Sequence, residues 1–420
     1  MEGSFQLFLN PRFSINTPYT DVAREAVSLD ALELAWDEAR KWPEYAQTPI
    51  HDLPKMATDL DVAQVLLKDE SDRFGLGSFK AIGGTYGCLL AVQRELQDRG
   101  IEVDAAGLRN GRYQEETANI VLICATDGNH GRAVAWAARN LGCPCVVYVP
   151  SIVSEPRRVA IEAEGATVIR IDGTYDQAVR NASDAAANCG GLVVSDHSFP
   201  GYETIPRAIM QGYTIVAAEL IEAISGEPLP THVFVQAGVG GFAASICGYL
   251  WEKFGVDRPA FICVEPSIAN CLYQSAAAGR LVTVPGDLDT VMGCLSCGEA
   301  STLGWSILRD GATAYMTISD TQAVTAMKAL SSGGYGQQEV VLGESGIAGL
   351  AGLLAVGTDE LAREQLGLDR DSRILLFGTE GANDPKRYQE LVGSVSQVVR
   401  GNLGRRGSSN PEVENHGSLT

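Results

Sequence analysis

No stretch of this chain approaches the ~20 consecutive apolar residues that a helix needs to cross a bilayer. No basic region precedes the short apolar run after Met1-Glu2-Gly3 either. Neither a membrane span nor a secretory signal is therefore expected, and the expected compartment is the cytoplasm. Positive charge is also scarce: 32 Lys and Arg stand against 52 Asp and Glu, a formal charge of −20. Nucleic acid and anionic lipid are themselves negative, so neither is an expected partner. A small anion held in a local electropositive site remains compatible with that balance. Metal-ligand clustering is missing too. Cys294-Leu295-Ser296-Cys297 has CxxC spacing, but no second pair or nearby histidine completes a zinc set, so no metal is expected. The ten cysteines are scattered, mostly in apolar contexts such as Cys124, Cys143, Cys145, Cys247 and Cys263. They read as buried thiols of a reducing compartment, with a Cys271 disulfide to Cys294 or Cys297 left open.

What is present is a long α/β pattern. With 420 residues and 45% hydrophobic content, the chain fits about two lobes. Residues 1–30 read as an irregular arm and 101–118 as a polar surface excursion. Between and beyond them, strand-like runs alternate with helical ones. The strands are 62–68, 119–125, 145–149, 167–171, 192–194, 231–236, 260–264 and 374–377. The helices include 29–41, 83–99, 132–141, 156–164, 175–188 and 202–225. Such alternation predicts mostly parallel sheets covered by helices on both faces, two of them. Residues 401–420, rich in Gly, Ser, Asn and Arg, read as a disordered tail.

One lysine draws the eye. In Arg73-Phe74-Gly75-Leu76-Gly77-Ser78-Phe79-Lys80-Ala81-Ile82-Gly83-Gly84, Lys80 lies in an apolar, glycine-flanked run. Burial lowers an amine's pKa and makes it a nucleophile at neutral pH, as Schiff-base chemistry requires. The plainer alternative is a lysine snorkelling from the first turn of a helix.

In parallel α/β sheets, ligands bind beyond the carboxyl ends of the strands. Three strand-to-loop junctions therefore carry most weight. The first leads into Thr126-Asp127-Gly128-Asn129-His130-Gly131, a polar loop opening a helix whose N–H groups suit a carboxylate or phosphate. Taken alone, Asp127 also suits a helix cap. The second leads into Gly238-Val239-Gly240-Gly241, with the geometry of a phosphate cradle. Read as GxGxxA through Ala243, with Glu265 ending the next strand, the same segment fits an NAD-dependent oxidoreductase. That rival leaves Lys80 and the Asp127 loop without a role. The third junction is Gly378-Thr379-Glu380-Gly381, and Gly343-Glu344-Ser345-Gly346 opens a small-residue helix.

In this order, the pieces resemble the fold-type II pyridoxal-phosphate (PLP) enzymes, the tryptophan synthase β-like group that includes threonine dehydratase. Ser78-Phe79-Lys80 resembles the Schiff-base lysine motif, residues 126–130 the asparagine loop, and Gly238–Gly241 the phosphate loop. Lys68–Ser71, Arg73–Leu76, Ala135–Ala138, Cys297–Glu299, Gly304-Trp305 and Thr379–Gly381 are most similar to the diaminopropionate ammonia-lyases. Aspartate at 127, where dehydratases of this fold carry serine, is the distinguishing residue. The family's C-terminal turn begins with Ser or Thr; here Gly378 stands there, and Thr379 is the candidate contact for the pyridine nitrogen.

The resemblance implies a two-lobed enzyme with a large PLP-binding domain (1–87 and 198–400), a smaller substrate-side domain (88–197), and assembly as a homodimer. It implies β-elimination on a small amino acid, with 2,3-diaminopropionate going to pyruvate and ammonia. A serine/threonine dehydratase or β-replacement synthase of the same fold is the alternative. Lys80 and Asp127 are the implied catalytic residues. Asn129, Gly238, Val239, Gly240, Gly241 and Thr379 are the implied further cofactor contacts. Thr126, Asp127, Gly128, His130 and Gly131 are the implied substrate contacts. Asp127 supplies a test of its own. An anion at a helix N-terminus is stabilised by ~0.3–1 kcal/mol, so Asp127 is expected to stay ionised, either against the substrate's second ammonium or as a base on the face opposite Lys80. Asp127→Asn keeps shape and capping ability. It is expected to lose D-diaminopropionate turnover by ~10²-fold or more and L-turnover less, as measured by steady-state kinetics on both enantiomers. Equal losses on both would reduce Asp127 to recognition or capping.

Overall fold

The computed structural model describes residues 5–126, 128–173, 175–335 and 340–393. The expected tail at 401–420 and the predicted base Asp127 lie outside the described residues. Among the described residues, eleven strands form two sheets. Those of the larger sheet are β1 (Gln6–Leu9), β2 (Ile50–Asp52), β3 (Gln64–Asp69), β8 (His232–Gln236), β9 (Ala260–Pro266), β10 (Ala314–Ile318) and β11 (Arg373–Gly378). Its order is β1-β10-β9-β8-β11-β3-β2. The inner five run parallel, and β1 and β2 close the two edges antiparallel. The smaller sheet joins β4 (Leu122–Ala125), β5 (Cys145–Pro150), β6 (Thr167–Ile171) and β7 (Leu192–Val193) in the order β6-β5-β4-β7, all parallel. The inner strands of the larger sheet are buried nearly throughout, as β-branched and Leu-rich runs require when helices cover both faces. The fold class is the one the βα alternation predicts.

Three local readings change. The arm is not wholly irregular: Gln6–Leu9 pairs with Ala314–Ile318, and Asp21–Ala26 is a helix capped by Thr20. The 101–118 excursion holds two short helices, Ala105–Arg109 and Gln114–Thr117. The helix expected from residue 83 begins at Lys80, so the lysine sits at its N-terminus.

That Lys80–Asp98 helix lies against the Thr204–Ala223 helix at close range, and glycine makes the approach feasible. A Cβ on Gly212 would lie 2.7 Å from Gly83 Cα, and one on Gly83 would lie 2.5 Å from Ile209 O. With backbone so close to backbone, the position of Lys80 is tied to the register of Thr204–Ala223.

Candidate active site

The predicted residues that the structure describes gather at the carboxyl ends of the parallel strands. Lys80 follows β3, Asn129 and His130 follow β4, Gly238–Gly241 follow β8, and Thr379 follows β11. The chain reaches Lys80 through a tight turn in which Phe74 (φ +55°), Gly75 (+71°) and Gly77 (+81°) are left-handed. For a phenylalanine that conformation costs about 1–3 kcal/mol, which the surroundings must hold in place. The far side of the turn is pinned to β11's loop: Phe79 N donates to Thr379 O (3.1 Å) and Gly381 N to Gly77 O (3.0 Å).

Lys80 Nζ forms an ion pair with Asp196, a residue singled out by no motif. The Phe79 ring lies 5.2 Å from the amine, and Tyr213 OH lies 3.4 Å from Asp196 Oδ2. Burial pulls the Lys80 pKa down, but the Asp196 charge outweighs it and the net shift is upward. The expectation of a lowered amine pKa is thus corrected. A facing carboxylate stabilises the ammonium more than desolvation destabilises it. Burial likewise pushes the Asp196 carboxyl up, yet Lys80 and His130 hold it below the usual carboxylate range.

His130 Nε2 lies 2.9 Å from Val194 O, so that nitrogen carries the proton. Burial lowers its pKa, which keeps the ring neutral at pH 7. Its Nδ1 is buried and meets no partner among the described residues. Thr126 Oγ1 accepts from Gly128 N (3.0 Å) and Gly131 N (3.1 Å), so these two amides fold the loop itself. Asn129 Nδ2 donates to Glu380 Oε2 (2.6 Å), and Asn383 Nδ2 donates to Asn129 Oδ1 (2.9 Å) and to Gly77 O (2.9 Å). The asparagine loop, the lysine turn and the β11 loop are therefore one hydrogen-bonded unit.

At the glycine-rich turn, Gly240 (φ +92°) opens the Gly241–Phe254 helix. Among the described residues no side chain caps that buried start, which leaves donors to suit an anion. The backbone comes close on several sides. A Cβ on Gly238 would lie 3.0 Å from Cys297 Sγ, and one on Gly304 would lie 3.1 Å from Gly240 C. At the departure Gly378, a Cβ would lie 2.5 Å from Leu342 Cδ2. Thr379 Oγ1 is buried and lies 2.7 Å from Gln236 Nε2. An amine with a charge partner, an uncapped buried helix start and a buried hydroxyl together fit PLP: an aldehyde to capture, a phosphate and a pyridine nitrogen.

Glu265 does not serve a ribose. It is fully buried and accepts from Leu272 N (2.9 Å) and Tyr273 N (2.7 Å) at the start of the Cys271–Ala278 helix. The dinucleotide reading of this segment loses its acid accordingly. Among the described residues no cysteine is joined in a disulfide, so the pairing of Cys271 with Cys294 or Cys297 does not form in this structure. Glu344, which the sequence offers only as part of the glycine-rich element at 343–346, pairs its carboxylate with Arg157 (2.9 Å). Burial first, and then the Glu380 charge, push Glu344 up to about 7, against the pull of Arg157. A surface cavity of about 610 Å³ lined by Asp52, Pro54, Gln64, Glu227 and Arg373 lies at the amino ends of β3 and β11, away from this cluster.

This fold and this set of loops define a class, the pyridoxal-phosphate-dependent enzymes. Residues 41–379 match that family, and the chain belongs to it. Within it the chain falls among the diaminopropionate ammonia-lyases. It is 39% identical over 362 residues to the diaminopropionate ammonia-lyase of Salmonella typhimurium, covering 84% of this chain and 89% of that one. The crystal structure of the holo Escherichia coli enzyme superposes with a TM-score of 0.83 at 34% identity, covering 93% and 97% of the two chains. That enzyme has also been crystallised with D-serine and with an aminoacrylate-PLP azomethine reaction intermediate. Threonine deaminase from Solanum lycopersicum shares the fold alone, at a TM-score of 0.68 and 18% identity.

Gly240→Asp puts a negative charge at the left-handed position of the glycine-rich turn, with its Cβ 3.1 Å from Leu272 Cδ1, beside amides that suit an anion. PLP affinity is expected to fall by ~10²-fold or more, at ~1.4 kcal/mol per factor of ten, as read by cofactor titration of the stripped protein. Unchanged affinity would move the cradle elsewhere.

Proposed function

We propose that this chain converts 2,3-diaminopropionate to pyruvate and ammonia. One water is consumed, and two ammonia are released for each pyruvate. The observation that carries this reading is the Lys80–Asp196 pair, set between an uncapped glycine cradle and the Asn129–Glu380 loop. The bound cofactor supplies a sink for the electrons left when the Cα proton departs. Everything else is the work of side chains and amides.

Lys80 would hold the cofactor and, once displaced by the substrate amine, take the Cα proton of the L-enantiomer. Asp196, kept ionised beside it, would steady the ammonium so formed. Asp127 would serve the D-enantiomer from the opposite face. The Gly238, Val239, Gly240 and Gly241 amides would bind the phosphate, Asn129 the phenolic oxygen and Thr379 the pyridine nitrogen. Loop 126–131 would seat the substrate carboxylate. With Gly128 and Gly131 N–H engaged by Thr126, the start of the Asn129–Leu141 helix is the part left to do so. A hydroxy amino acid is the second reading of the substrate, supported by the D-serine complex of the E. coli relative.

The division into a PLP-binding domain (1–87 and 198–400) and a substrate-side domain (88–197) belongs to this proposal. So do a homodimeric assembly and a cytoplasmic setting. The test is pyruvate formation by wild type and Lys80→Ala. Wild type is expected to release pyruvate from diaminopropionate in preference to serine. The variant is expected to lose turnover by ~10⁴-fold or more, as when a covalent residue is removed. A variant that keeps both activity and bound PLP would sink the role of Lys80, and a wild type preferring serine would overturn the substrate.

A further inference from the structure

We propose that a buried four-charge cluster, Lys68, Glu70, Arg73 and Glu219, positions Lys80 by clamping the turn that leads to it; this rests on Lys80 being the catalytic amine. The four side chains are at most 1% exposed. Arg73 forms two forks. Nε and Nη2 donate to the two Glu70 oxygens at 2.8 and 2.7 Å. Nη1 and Nη2 donate to the two Glu219 oxygens at 2.8 Å each. Lys68 Nζ donates to Glu219 Oε2 at 2.7 Å and to Thr48 O at 2.8 Å. Tyr45 OH donates to Glu219 Oε1 (2.8 Å), and Thr48 Oγ1 donates to Glu70 Oε1 (2.5 Å). Two cations face two anions, so the cluster is neutral as a whole.

Its place explains its use. Buried ion pairs rarely add net stability over apolar side chains of the same volume, but paired forks fix a guanidinium in one orientation. Arg73 is the residue immediately before Phe74, where the left-handed run begins. Glu70 N is bonded to Gly378 O (2.8 Å), so the near end of the turn is tied to β11, as Gly77 and Phe79 tie its far end. Glu219 comes from the Thr204–Ala223 helix, the one that carries Tyr213 against Asp196 and packs on the helix begun by Lys80. Arg73 thus links Glu70, one residue past β3, with that helix and the strained turn, seven residues ahead of the amine. Among the described residues, Lys68, Glu70, Arg73 and Glu219 hydrogen-bond to neither Lys80 nor Asp196, and they act as positioning residues.

The experiment compares Arg73→Lys, which keeps the charge and loses both forks, with the pair Lys68→Met/Glu219→Gln, which removes one cation and one anion together. Two quantities are read. One is kcat and KM on diaminopropionate per bound PLP, below the melting temperature. The other is the rate at which trinitrobenzenesulfonate labels Lys80 in the cofactor-stripped full chain, by peptide mapping. Arg73→Lys is expected to lower kcat by about 10- to 100-fold, the scale of a displacement near 1 Å, with KM within about threefold and an altered Lys80 labelling rate. Unchanged kcat per PLP together with unchanged labelling, whatever the melting temperature, would overturn the proposal. Should Arg73→Lys fail to fold, the double variant decides by the same two readings. A wild type that binds PLP but releases no pyruvate would fail the lyase assignment alone, and the labelling rate would then judge the clamp.

Discussion

A cation drawn out of water needs a compensating partner, and on either side of one strained turn in this protein that partner is a carboxylate. Behind the turn, Lys68 and Arg73 are matched by Glu70 and Glu219. In front of it, Lys80 is matched by Asp196. Removing one member of such a pair leaves an uncompensated charge, at a cost of about 3–5 kcal/mol, so neither group is free to drift. The glycine contacts between the helices at 80–98 and 204–223 then convert these pairings into a fixed direction for the Lys80 side chain.

Much of the architecture was legible because its signals are local. Runs of Val, Ile and Leu marked the inner strands, and glycines marked the turns that bring backbone close to a ligand. The motif at Ser78–Lys80 lies on consecutive residues, as do those at Thr126–Gly131 and Gly238–Gly241, and all three sit at carboxyl ends of strands. What stayed hidden depends on partners far away in the chain. Asp196 lies 116 residues from Lys80, and Glu219 lies 151 residues from Lys68. No periodicity announces such pairings. The edge strand Gln6–Leu9 escaped for the same reason, since it is a strand only because Ala314–Ile318 offers it an edge.

The lowered pKa assigned to Lys80 from its apolar neighbours illustrates the point. Burial alone favours the neutral amine, and the sequence around residue 80 shows only burial. The opposing carboxylate arrives from beyond β7, in the other sheet's loop, and reverses the sign. Gly378 makes the complementary case: the departure in the β11 turn sits where a Cβ would lie 2.5 Å from Leu342 Cδ2, a contact that no local motif announces. The neighbouring Thr379 hydroxyl is held by Gln236, a residue no motif singled out.

The central claim is that Lys80 is the amine that carries the cofactor. Borohydride reduction of the purified holoprotein, followed by proteolysis and mass spectrometry, tests it most directly. The account predicts a phosphopyridoxyl group on Lys80 and on no other lysine. A phosphopyridoxyl group on a different lysine, or a cofactor released intact after reduction, would contradict it.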